Sequence, residues 1–124
     1  MSIIIELPWP KSNLAGHNTG HWRSKSKTIK NARLAAHYTT HKAIRGLCIP
    51  NGDIITTVTF YPPNRRGDRL NYPNRMKPFF DGMASGMCVN DKRFAIPTYI
   101  TMEPSKRPRV EVEIHNITKI EVSK

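Results

Sequence analysis

Acidic residues are scarce in this chain, and unevenly so. Nine Asp and Glu stand against 20 Lys and Arg, giving a formal net charge of +11 over 124 residues. Across residues 7–52 there is no acid at all, while Lys11, Arg23, Lys25, Lys27, Lys30, Arg33, Lys42 and Arg45 are all basic. Such a block favours a polyanion, because each neutralised phosphate releases counterions. A solvated basic face, or a patch for acidic lipid or protein, is the plainer alternative. Ser, Thr, His and Asn scattered through 24–41 blur any apolar face there, which argues against a membrane-surface or calmodulin-type helix. Cysteine is nearly absent too. Cys48 and Cys88 lie far apart, with no CxxC and no His at zinc-finger spacing, so a structural zinc site is not expected. No apolar run approaches membrane-spanning length. Residues 3–5 are too short for a secretory h-region, and Glu6 follows at once. The expectation is a cytoplasmic protein with reduced thiols, no membrane partner and no small-molecule cofactor. Hydrophobic content is 38%, low for a globular protein. That fits one domain over 1–124 with a small core, or a homodimer that supplies the missing burial.

The acids that are present are placed tellingly. Between residues 54 and 102 the chain has only Asp68, Asp81 and Asp91, and around them sit Arg65, Arg66, Arg69, Arg75, Lys77, Lys92 and Arg93. A few carboxylates in a cationic surface suit a metal-dependent enzyme acting on a polyanion: the carboxylates hold a divalent cation and the surrounding charge holds phosphate.

Patterning gives the scaffold. Residues 2–7 read as a strand covered on both faces, because Ile3, Ile4 and Ile5 run without alternation. Pro8-Trp9-Pro10 ends it, and 11–20 reads as loop. Trp9 reads as a core or dimer anchor rather than a base-stacking platform. Residues 21–45 predict a helix stopped by Gly46. His17, His21, His37 and His41 fall in or near it. His37 and His41 have a metal-clamp spacing, but no acid or cysteine lies near, so they read as polar surface histidines. Residues 54–61 predict a second strand. A second helix is expected from Tyr72 or Pro73 to Ser85, with Pro78 either kinking it or opening a later start, ended by Gly86 and putting Lys77 and Asp81 on one face. Residues 97–103 and 109–117 alternate and predict a closing antiparallel hairpin. The expected fold is α/β (α+β), order β-α-β-α-β-β: a small mixed β-sheet of about four strands with two main helices on one face.

With these landmarks in order, the sequence resembles the RusA family of phage-type Holliday-junction resolvases. The match rests on LPWP at 7–10, HWRSKSKTIKNAR from His21, PPNRRGDRLN at 62–71 with Lys77 and Asp81-Gly82 after it, and Asn90-Asp91-Lys92-Arg93-Phe94 before a Pro-starting strand. The family pattern falls on Asp68, Asn71, Lys77, Asp81 and Asp91, but its middle Asp falls on Leu70, which cannot coordinate a cation. The resemblance implies a homodimeric, Mg²⁺-dependent (or Mn²⁺-dependent) endonuclease that resolves four-way DNA junctions. It implies catalytic roles for Asp68, Asp81, Asp91 and Lys77, metal ligation by Asp68, Asp81, Asp91 and Asn71, and DNA contacts from Arg65, Arg66, Arg69, Arg75, Lys92, Arg93, Arg23, Lys25, Lys27 and Lys30. Plainer roles stand beside these. Asp68 next to Gly67 is placed to cap a turn, Lys77 and Asp81 to pair along a helix, Asp91 to be a loop acid, and Lys77 to be plain phosphate grip. Leu70 keeps open a junction-binding protein that cuts weakly or not at all. A generic RNA- or DNA-binding module ranks last, because no RNP1-like aromatic run or GxxG clamp is evident.

Overall fold

β-branched and alternating segments build one mixed sheet, and two helices cover one of its faces. The computed structural model describes residues 1–14 and 22–120. His17, His21 and the side chains of Trp22 and Arg23 lie outside the described residues. Strand β1 is Ile3–Pro8, helix α1 Trp22–Ala43, β2 Leu47–Cys48, β3 Thr56–Tyr61, α2 Lys77–Met87, β4 Thr98–Thr101, β5 Arg109–Ile114 and β6 Thr118–Lys119. Short 3₁₀ segments lie at Ser12–Leu14, Arg69–Arg75 and Asp91–Arg93. The main sheet runs β1-β5-β3-β4, and β2 pairs with β6 in a separate ribbon.

The expected mixed sheet and one-sided helices are present, but the expected closing hairpin is not. β4 pairs parallel to β3, while β5 lies antiparallel between β1 and β3. A long crossover through α2 makes the parallel β3–β4 pairing reachable. The chain then passes over the end of β3, where the Ser105 N–H donates to Pro62 O at 2.9 Å. Alternation had fixed which side of β5 faces inward; it carries no information about which strands lie alongside.

β1 also differs from expectation. Ile5 and Leu7 are buried, but Ile4 is exposed, because the helices cover only the inner face. That face joins Ile5, Leu7, Val58, Phe60, Val110, Val112 and Ile114 to Tyr72, Met76, Phe79, Met83 and Met87. Trp9 is a core anchor: it packs edge-on against Tyr72 at 4.9 Å and Phe60 at 6.1 Å between ring centroids.

The two helices meet along small residues. On α1, Ala32, Ala36 and Thr40 are buried at four-residue spacing. On α2, Gly82 and Gly86 lie opposite: a Cβ at Gly82 would sit 2.2 Å from Arg33 O, and one at Gly86 2.6 Å from His37 O. Gly86 therefore does not end α2. It lies within the helix and lets the backbones touch, and Cys88, at φ 57°, makes the left-handed cap instead. Of the two starts the prolines allow, the second helix takes the later one: Tyr72 and Pro73 belong to the 3₁₀ segment and Pro78 takes the first turn of α2.

Candidate functional site

Local sequence places three charged groups at one point. Lys77 opens α2, and Asp81 follows one turn later on the same face. After Cys88 reverses the chain, Asn90 caps the next 3₁₀ turn by accepting from the Lys92 N–H at 2.9 Å. Asp91 thereby returns alongside the start of α2. The Lys77 ammonium donates to Asp91 Oδ2 at 2.6 Å and to Asp81 Oδ1 at 2.9 Å. Arg33, from α1, lies 3.7 Å from Asp81 Oδ2. The Asp91 bond, then the Asp81 bond, raise the Lys77 pKa above its ordinary value. The same ammonium lowers the Asp91 carboxyl below its ordinary value.

This cluster forms the wall between clefts. One of about 680 Å³ lies between α1 and the start of α2, lined by the charged Lys25, Arg33, Lys77 and Asp81 and by the apolar Leu14, Ile29, Pro73 and Pro78. Another, of about 320 Å³, is lined by Lys77 and Asp91 together with Phe94, Ile96 and Tyr99. A lining that mixes cationic and apolar side chains suits a group that is part phosphate and part ring.

The three aspartates expected to act together are divided. Among the described residues, no three His, Cys, Asp or Glu side chains come together as a metal-holding group. Asp81 and Asp91 converge. Asp68 instead accepts from the Leu70 N–H at 3.0 Å and the Asn71 side-chain amide at 3.1 Å, capping the 3₁₀ segment as its plainer role requires. Asn71, its expected partner in metal ligation, is thus bonded to Asp68 and not to Asp81 or Asp91. The converging pair still fits a hard divalent cation. Two carboxylates aim oxygens at one cationic point, and Mg²⁺ is satisfied by one or two carboxylates with waters filling the rest. The ammonium now at that point sits on a flexible stem, and the Lys77 side chain is 68% exposed, so it can withdraw.

The basic residues also separate into groups. Lys27, Lys30, Arg66, Arg69 and Lys92 are exposed, and Lys25 sits on the large cleft. Arg65 pairs with Glu103. Arg75 and Arg93, expected on DNA, are committed to the fold. Arg75 donates to Pro10 O at 3.1 Å and lies over the Tyr72 ring, and its burial lowers its pKa. Arg93 donates to the carbonyls of Pro50 and Gly52.

Arg33 was not among the expected site residues. The signal that finds it is the small-residue spacing on both helices, Ala32/Ala36 against Gly82/Gly86, which brings Arg33 beside Asp81. Ser85 was missed for the same reason: one turn after Asp81, its hydroxyl bonds His37 Nδ1 at 2.9 Å. His37 and His41 stack at 6.1 Å on α1 with no acid or cysteine completing a metal set among the described residues. No described helix is long and apolar enough to cross a membrane.

No family model matches the chain. A protein of Xylella fastidiosa described as "Uncharacterized protein" is 34% identical over 118 residues, which is 93% of this chain and 77% of that one.

Proposed function

The chain belongs to one family with that Xylella fastidiosa protein, and since the relative's description names no activity, we propose from site chemistry that the chain is a RusA-like, metal-dependent endonuclease acting on branched DNA. One observation carries the reading: carboxylates from two separate elements, Asp81 and Asp91, point at the same cationic position, the Lys77 ammonium, which lines a basic cleft. Phosphate binds against Lys25, Arg33 and Lys77, with Lys27, Lys30, Arg66 and Arg69 holding flanking backbone. Asp81 and Asp91 are the residues that would hold one divalent cation, Mg²⁺ or Mn²⁺. When bound, that ion supplies charge stabilisation at the attacked phosphate and a nucleophile at neutral pH. Arg33 steadies Asp81 from α1. Lys77, released from its carboxylates, offsets charge on the phosphate oxygens while water adds to phosphorus, the P–O ester bond breaks and a proton lost by the water ends on the departing oxygen as a strand-end hydroxyl. Paired cuts in opposing strands need two such sites, hence a two-fold dimer.

A second reading has its own support. Asp68 is occupied in capping, and Leu70 stands where the resemblance expects an acid, which favours junction binding with weak or no cleavage. Incubating labelled four-way junctions with the protein and Mg²⁺ separates the two. Nicked duplex that disappears in Asp91→Asn supports the enzyme. Junction binding without product, in folded protein, supports the binder.

A further inference from the structure

The site does not account for Leu70. Leu70 is 87% exposed, and it is an aliphatic residue directly after exposed Arg69 and four residues after exposed Arg66. Exposed leucines are ordinary singly, but this one is held rigidly. Asp68 fixes its N–H, Asn71 is bonded back to Asp68, and Gly67 before it packs so closely on Tyr72 that a Cβ there would sit 2.6 Å from the phenol oxygen. In a 3₁₀ helix, side chains three apart stand one above the other. Leu70 therefore stands over Pro73, and Pro73 lines both clefts that Lys77 divides. The result is a stiff apolar tip next to two exposed arginines, on the 3₁₀ segment that leads into the start of α2.

Resting on the nucleic-acid reading above, we propose that Leu70 is a wedge that enters an unstacked base step of branched DNA while the adjoining phosphates lie against Arg66 and Arg69. Apolar side chains open base steps in this way, and a branch point offers steps whose stacking is already weakened. Arg66 and Arg69 select the occupant, since positive charge near the tip attracts a phosphate backbone and opposes a second equally basic copy. On this account the residue that departs from the expected acid has taken on recognition of the branch.

The test uses four-way junctions carrying 2-aminopurine at the branch, without divalent metal so that nothing is cut. Wild-type protein should raise the fluorescence severalfold on binding. Leu70→Ala should lose most of that rise and bind the junction about tenfold more weakly, the scale of one aliphatic side chain left unburied. It should bind plain duplex as before. Leu70→Met should keep the signal, and Ile4→Ala, an exposed apolar residue on the outer sheet face, should match wild type. If wild type fails to bind junctions, the nucleic-acid reading and the wedge fall together. If it binds and Leu70→Ala matches it in both readouts, the wedge alone falls. A Leu70→Ala change seen only as dimer dissociation in sedimentation would overturn the wedge in favour of self-association.

Discussion

Replacing Gly82 by alanine should destabilise the protein, although alanine is the better helix former by about 1 kcal/mol. The added Cβ would lie 2.2 Å from the Arg33 carbonyl oxygen and 2.8 Å from Ala36 Cβ. Neither neighbour can rotate away, because one is backbone and the other the stub of a buried residue. Reaching ordinary contact requires the two helices to separate by about 1 Å. Overpacking of this kind costs about 1–3 kcal/mol, and a rigid backbone obstacle places it at the upper end. After the propensity gain, the net loss is about 2 kcal/mol, a fall in Tm of roughly 6–10 °C at this chain length. Gly86→Ala meets His37 O at 2.6 Å, a milder conflict, and should lose roughly 1 kcal/mol. Urea unfolding followed by circular dichroism measures both, with an unchanged m-value marking a pure stability effect. A Gly82→Ala midpoint equal to or above wild type, or a larger loss at Gly86, would refute the close-crossing argument. Asp81 rides on α2, so the same variant should also break its 3.7 Å approach to Arg33.

Other outcomes follow from the charges. In a carbon-13 titration, the Asp91 carboxyl should titrate below the usual aspartate range, and Lys77→Met should move it back up, because Lys77 is the main cause of the depression. The signs for stability follow directly. The Asp91 contribution is fully present above the unfolded carboxylate pKa, near 3.9, and is lost as pH falls through the lower folded value. The Lys77 contribution is present below its unfolded pKa, near 10.4, and is lost as pH rises through the raised folded value, so Lys77→Met should remove this cluster's share of the pH dependence at both extremes. Mn²⁺ should broaden the Asp81 and Asp91 resonances before that of Asp68, and equal broadening of all three would contradict the division of the aspartates. Changing both Lys27 and Lys30 to alanine should reduce the slope of log affinity against log salt for DNA by about two and leave the junction-to-duplex ratio unchanged. An unaltered slope would remove that face of α1 from the DNA path.

The sequence determined the composition of the layers and the inventory of the site. Periodicity alone distinguished strands from helices, put Val110, Val112 and Ile114 on one side of β5, and set Lys77 four residues from Asp81, since these are local consequences of backbone repeat. The acid-free basic block was equally plain, because charge is counted rather than folded. Only the tertiary structure decided that β5 enters between β1 and β3, since hydrogen-bonding edges look alike whichever strand approaches. It likewise decided which aspartates meet. Asp81 and Asp91 join across the reversal at Cys88 and draw Arg33 in through a glycine-lined crossing, whereas Asp68, nearer to Lys77 in sequence than Asp91 is, turns to its own backbone. Convergence of charges depends on distances set by packing, and those distances lie between elements rather than within any one of them.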